Sequence, residues 1–198
     1  MATQAGGKMI YRFAEGSADM VNLLGSKGAH ASEMARIGIP VPPGFVITTE
    51  ASLDYYHLGR RFPEGLWDSI VENVHALEVE TGRIFGSPEN PLVVSVRSGS
   101  AVSMPGMMDT ILNMGVTDTT IDGVARMMHD DRPALDAQRR LVQGFASVVL
   151  GIDRDRFETP LEEAKRDRGV RFDYELAPDD LRALIGRFKQ AIAEVTGK

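Results

Sequence analysis

A fixed cation at the end of a strand, followed by a loop rich in glycine and small side chains, is chemistry suited to phosphate. Residues 95–110, Ser-Val-Arg-Ser-Gly-Ser-Ala-Val-Ser-Met-Pro-Gly-Met-Met-Asp-Thr, have that composition. The β-branched run from Leu92 to Val96 predicts a buried strand that delivers Arg97 to the loop. Arg97 offers charge and paired donors in a geometry that phosphate oxygens accept. Gly99 and Gly106 reach backbone angles closed to other residues, so successive N–H groups can turn toward one anion. The competing reading is an ordinary surface hairpin with two turn glycines. No Walker A lysine follows these glycines and no Gly-x-Gly-x-x-Gly is present, so spacing leaves both readings open.

A second cation stands in Leu23-Leu24-Gly25-Ser26-Lys27-Gly28, just ahead of a helical pattern through Ala31, Met34, Ala35 and Ile37. A lysine at a helix N-terminus opposes the macrodipole unless an anion sits there too. Backbone N–H groups, dipole and Lys27 would then favour the same phosphate, making this the other half of a nucleotide site. A solvated lysine after a glycine turn explains the same residues.

The elements that must position these cations follow from periodicity. Residues 1–8 form a polar, mobile lead-in. Met9 to Phe13 predicts a first strand. Gly38 closes the helix after Lys27, and Pro40 to Gly44 forces an extended connection into a strand from Phe45 to Thr48. Thr48 or Thr49 caps a helix through Tyr55 and Tyr56, an aromatic pair read as packing. Residues 64–81 form a further helix with Leu66, Ile70, Val74 and Leu77 inward and Trp67 at its partly buried edge. Past Gly115 the pattern turns helical. Caps lie at Thr117 to Thr120 and at Asp131-Pro133, and Leu141, Phe145, Val148 and Val149 make an apolar stripe. Pro160 starts or kinks the next helix, and a last one carries Leu181, Leu184, Ile185, Phe188, Ile192 and Val195 on one face. The basic pairs around Arg139-Arg140 and Lys165 to Arg168 alternate with acids and read as a solvated helix face. The expected organisation is a lead-in at 1–8, a mixed α/β lobe at 9–115 and a helical subdomain at 116–198, an α/β (α+β) fold class.

Composition narrows the function classes. The 198 residues carry a formal net charge of −6. Residues 1–115 hold 8 Lys and Arg against 12 Asp and Glu, and residues 116–198 hold 14 against 16. No basic face follows from that balance, so nucleic acid is not an expected partner. Zero cysteines exclude disulfides and thiolate metal sites. No apolar run approaches the roughly 18 residues of a membrane span, and no signal-peptide core is present, so a cytoplasmic chain without a membrane partner is expected. His30, His57, His75 and His129 lack metal-ligand spacing. Asp109 could hold magnesium, but one carboxylate is not a site, and a cap on the following segment is the simpler reading. Met104, Met107 and Met108 can pack against a base or fill core.

Leu23-Leu24-Gly25-Ser26-Lys27-Gly28, Pro40-Val41-Pro42-Pro43-Gly44-Phe45, Ser95-Val96-Arg97-Ser98-Gly99 and above all Ser103-Met104-Pro105-Gly106-Met107-Met108-Asp109-Thr110 resemble the N-terminal nucleotide-binding domain of the pyruvate, phosphate dikinases. The resemblance runs from about Met9 to the C-terminus. It implies the first lobe of an ATP-grasp fold, followed by a mostly helical subdomain. Lys27 and Arg97 match residues that bind ATP phosphates. Ser98, Gly99, Ser100, Ala101, Val102, Ser103, Met104, Pro105, Gly106, Met107, Met108, Asp109 and Thr110 match the loop that covers them. The implied reaction converts ATP, phosphate and pyruvate to AMP, pyrophosphate and phosphoenolpyruvate through a phosphorylated histidine on a swivelling domain, with magnesium sharing the phosphate charge. Ser26 departs from an expected glycine, Ser100 from an expected alanine and His30 from a short polar residue.

The resemblance also implies what lies elsewhere. Magnesium ligands belong to a second ATP-grasp lobe that would follow Lys198, and neither a phosphohistidine motif nor a pyruvate-binding barrel occurs in these 198 residues. The expected partners are ATP, those remaining dikinase parts and, through an exposed apolar surface, a possible second copy. One hypothesis is half of a dikinase ATP site, inactive by itself. The other is a non-catalytic binding or interaction module that keeps the fold, or one piece of a split enzyme.

Overall fold

The computed structural model describes residues 7–98 and 110–197. By packing, residues 7–82 with Ser98 form one compact unit, and residues 83–97 with 110–197 form a second.

In the first unit, β1 (Ile10–Arg12) pairs antiparallel with β2 (Phe45–Ile47), with Ile10 opposite Ile47 and Arg12 opposite Phe45. Between them runs α1 (Val21–Arg36). It ends in a Schellman arrangement, where Ile39 N donates to Met34 O at 2.9 Å and Gly38 N to Ala35 O at 3.2 Å. The prolines after Gly38 then hold the connector extended into β2. Thr48 caps α2 (Thr49–His57) by accepting from Ala51 N at 3.2 Å. The α3 helix (Leu66–Thr81) stops at Gly82, which takes the left-handed conformation. The central apolar cluster is small: Ile10, Ala51 and Leu66 are buried, and Met9, Phe45 and Ile70 pack against them.

In the second unit, β3 (Val94–Val96) pairs antiparallel with β4 (Ile111–Met114). Four helices follow: α4 (Ile121–Met128), α5 (Asp131–Val148), α6 (Asp155–Arg168) and α7 (Pro178–Thr196). Asp130 caps α5 through Arg132 N at 2.9 Å. Leu181, Leu184, Ile185 and Phe188 of α7 are buried with Phe157, Leu161, Leu135 and Ala146 in one cluster, with Ile192 packed against it; of the inward face that the spacing predicts, Val195 near the helix end is instead exposed. A smaller cluster of Val116, Val124 and Ala134 seats α4 on α5.

The mixed α/β class is as expected, and the described strands form two separate two-stranded antiparallel sheets. Several local expectations need correction. The run from Leu92 to Val96 is not a buried strand: Leu92 is buried ahead of β3, whereas Ser95 and Val96 are exposed. A strand with one neighbour and one covered face cannot bury a continuous apolar run. The β4 strand was not anticipated from the sequence. On α5 the expected stripe is displaced, because Phe145, Val148 and Val149 are exposed while Ala134, Leu135, Ala137, Gln138 and Ala146 face inward. Small side chains let the helix approach its neighbours closely, so the alanine face, not the bulkier one, sets the contact. Trp67 is exposed and stacks on Phe62 instead of lying at a partly buried edge. Thr120 precedes α4, yet its hydroxyl turns away from the helix, accepting from Thr117 N at 2.8 Å and donating to Gly115 O at 2.6 Å. Residues 1–6 of the expected lead-in lie outside the described residues.

Candidate functional site

Gly25 decides where Lys27 stands. Although α1 spans Val21–Arg36, Gly25 has φ 68° and ψ 164°, so two helical segments meet there at a kink. That combination lies in a region of backbone space open essentially to glycine. The ψ value rotates the peptide joining Gly25 to Ser26, so the Ser26 N–H no longer points one turn back along the chain. Asn22 O, which a continuous helix would satisfy from Ser26, instead accepts from the Thr49 hydroxyl at 2.6 Å. A new helix therefore starts at Ser26, and Ser26, Lys27 and Gly28 form its first turn, where N–H groups have no carbonyl partner within the helix. The expected lysine at a helix N-terminus is present, inside what is otherwise one long helical segment.

Gly28 has a different job. A Cβ there would come within 2.9 Å of Val46 Cγ2 and 3.0 Å of Val46 Cγ1, so the missing side chain lets α1 lie directly on β2. Anchored at Gly28 by the sheet and broken at Gly25, the first turn presents Lys27 outward. Lys27 is exposed, and among the described residues it forms no ion pair. Backbone donors, the helix dipole and an uncompensated ammonium together make a local anion-favouring turn.

Arg97 leaves β3 at its last paired residue, Val96, whose partner across the sheet is Ile111. The pairing shifts register between Val94 and Val96. Arg97 is exposed and, among the described residues, has no carboxylate partner. The strands beneath it are fixed to the helices: Asn113, in β4, donates to Ala137 O of α5 at 3.1 Å. Ser98, which follows, has a buried hydroxyl with no hydrogen-bond partner among the described residues. Of the expected phosphate-covering loop, Ser98 and Thr110 are described, and Gly99 through Asp109 lie outside the described residues. Lys27 and Arg97 belong to different compact units.

For magnesium, no group of three or more His, Asp or Glu among the described residues could hold a metal ion. The described residues thus supply cations suited to phosphate and no metal site.

Sequence reasoning missed the charged centre of the second unit. Arg139 is only 2% exposed. Its guanidinium donates to Asp136 at 2.7 and 2.8 Å, to Gln143 at 3.1 Å and to Asp173 at 3.2 Å. Lys165 joins the network through Asp173 at 3.2 Å and Glu162 at 2.6 Å. The hydrogen bond with Glu162 holds the Lys165 ammonium above its usual pKa. These groups are not the solvated face that alternating charge implies. Arg139 and Arg140 are one residue apart, so the helical turn sends one inward and leaves the other exposed. Asp136 and Gln143, at i−3 and i+4 from Arg139, are the signal the sequence contained.

No family model matches the chain. Among curated proteins it is 44% identical over 187 residues to "Pyruvate, phosphate dikinase" of Clostridium symbiosum, covering 94% of this chain and 21% of that protein. It is also 44% identical over 194 residues to "Pyruvate, phosphate dikinase" of Rhizobium meliloti, covering 96% of this chain and 22% of that one. Against "Pyruvate, phosphate dikinase, chloroplastic" of Flaveria pringlei it is 44% identical over 195 residues, 96% of this chain and 20% of the plant protein. The resemblance drawn from the motif residues therefore extends over nearly the whole chain, which spans about a fifth of the length of the curated relatives it matches.

Proposed function

We propose, from the likeness to a fifth of the dikinase length, that this chain is the ATP-binding portion of a pyruvate, phosphate dikinase-like phosphotransferase. On this reading residues 9–115 belong to the first lobe of an ATP-grasp fold, and Lys27 and Arg97 are phosphate ligands. The observation that supports it is the break at Gly25, which places Lys27, without an ion pair among the described residues, in the first turn of a helix.

The chemistry asked of these residues is positioning and charge neutralisation. Lys27 contributes a point charge beside backbone donors. Arg97 contributes two parallel N–H donors that fix the orientation of a phosphoryl group. The loop from Ser98 to Thr110 closes over the phosphates and excludes water. Magnesium, which neutralises phosphate charge when bound, takes its protein ligands from outside the described residues. The acceptor histidine and the pyruvate site belong to the rest of a dikinase, so this chain binds nucleotide without turning it over.

Calorimetric titration of the 198-residue chain with ATP, with and without magnesium, tests the reading. Removing a charged donor costs about 1.5–3 kcal/mol, so Arg97→Ala and Lys27→Ala should each weaken binding by roughly 10- to 100-fold. No binding at millimolar nucleotide by a chain shown to be folded would overturn it. So would binding that neither substitution alters.

A further inference from the structure

One continuous stretch of chain touches α1 on both sides of its break. Val46, in β2, lies against Gly28, where a Cβ would come within 2.9 Å of the Val46 Cγ2. Shortly after it, the Thr49 hydroxyl donates to Asn22 O at 2.6 Å. Gly28 belongs to the segment that follows Gly25, and Asn22 to the segment that precedes it. Between the two contacts stands Thr48, which is buried, donates its N–H to Met9 O at 2.9 Å and accepts from Ala51 N at 3.2 Å. The stretch is thus fixed to β1 and to α2, and from that base it holds both helical segments.

The neighbouring threonines have separate partners. Thr48 alone meets the capping need of α2, its side chain accepting from Ala51 N and its carbonyl from Ser52 N at 3.1 Å. Thr49 is the first residue of α2, so no carbonyl of that helix lies one turn back to receive its hydroxyl. The proton goes instead to a carbonyl 27 residues away in sequence. That acceptor is the one the kink releases. With φ 68° and ψ 164° at Gly25, Asn22 O loses the Ser26 N–H that a continuous helix would give it. Glycine can also take ordinary helical angles, which would regain that bond and carry Ser26, Lys27 and Gly28 into the middle of a single helix. By satisfying the same carbonyl, the Thr49 hydroxyl offsets what straightening would gain.

We infer that Thr49 is a positioning residue for the anion-favouring turn: by occupying Asn22 O it holds the break at Gly25 open and keeps Lys27 and the N–H groups beside it at a helix start. The inference rests on the reading of Lys27 as a phosphate ligand, and it names the group that fixes where that lysine stands.

The test compares Thr49→Val and Thr49→Ala, which both lack the hydroxyl, with Thr49→Ser, which keeps it, in the 198-residue chain. Nuclear magnetic resonance of the ligand-free chain reads the turn, and calorimetric titration with ATP reads the site. Without the hydroxyl, the backbone resonances of Asn22, Gly25, Ser26 and Lys27 should move toward helical values while those of α3 stay in place. ATP affinity should fall about 2- to 10-fold, the worth of one neutral hydrogen bond. Serine should restore both, and in a Lys27→Ala background the loss of the hydroxyl should cost less. Circular dichroism confirms that each variant is folded. Resonances at residues 22 to 27 that do not move overturn the inference without reference to ATP. Unchanged ATP affinity beside a weakened Lys27→Ala overturns it too, as does a loss that serine does not restore or one equally large with and without Lys27. If Lys27→Ala itself leaves ATP affinity unchanged, the phosphate-ligand reading fails, and the positioning role falls with it even where the resonances move.

Discussion

The two compact units treat their close aromatic pairs differently: the second holds one buried pair and one exposed pair, whereas every pair of the first includes an exposed ring. In the helical unit Phe157 and Phe188 meet edge to face at 5.2 Å and are fully buried, with eight further buried residues in their cluster. In the first unit Phe62 and Trp67 stack at 5.9 Å in solvent, while the core beneath relies on Ile10, Ala51 and Leu66. The second unit buries Phe157 and Phe188 among leucines, although Phe145, Phe172 and Tyr174 of the same unit are exposed. The first buries Leu24, Leu66 and Leu77 but leaves Phe62 and Trp67 exposed, and it carries Lys27 on a helix turn broken at Gly25. The contrast lies in the cores: the main buried cluster of the second unit has ten residues and the central cluster of the first has three.

The largest effect that would sharpen this contrast is expected from Phe188→Ala. Removing a fully buried ring from a packed cluster costs about 3–5 kcal/mol. Hydrogen exchange should show α5 and α7 as the best-protected segments of the chain, and this substitution should abolish their advantage over α1 to α3. Protection already equal in the unsubstituted chain would break the comparison.

An intermediate effect is expected from Gly25→Ala. A non-glycine residue held in that backbone region costs on the order of 1–3 kcal/mol. The urea midpoint of the first unit should fall, read from its tryptophan, and ATP affinity should fall further than stability alone explains. Loss of stability with unchanged affinity would separate the kink from the proposed site.

The smallest effect concerns pH. Glu33 accepts from the Arg36 guanidinium and from Ala18 N, and these contacts hold its pKa down at about 2 from an ordinary 4.5. A depressed carboxylate contributes stability that is present above its unfolded pKa and lost as pH falls toward the folded one, so the window is pH 4.5 down to about 2. Asp118 in the helical unit is also lowered, chiefly by its hydrogen bond from Lys189, and behaves in the same direction below an ordinary 3.8. Glu33→Gln should flatten the acid dependence of the first unit and leave that of the second unchanged, as followed by thermal melts across that range. Equal flattening in both units would show that they do not titrate independently.

Much of the fold was legible because local rules acted without competition. The α7 stripe, the Gly38 and Gly82 helix stops, the Thr48 cap and the proline-held connector each follow from spacing or from a single residue's stereochemistry. The two cations were legible as residue types in an unusual setting, and Lys27 does stand in a helical first turn. Less legible were features that depend on which face meets a neighbour. Phe145 and Val148 read as core and lie outside; Arg139 reads as solvated and lies inside. The sequence alone determined where several helices stop, that cations precede glycine-bearing segments, and that the motif residues resemble those of the dikinases, but not every helix start, since α6 begins at Asp155 and runs through Pro160. Only tertiary structure decided that Gly25 breaks α1 while Gly28 seats it on Val46, and that Trp67 stays in solvent while Arg139 is enclosed. The reason is physical. Backbone propensity and capping are settled within a few residues of chain, whereas burial depends on area supplied by partners far along it.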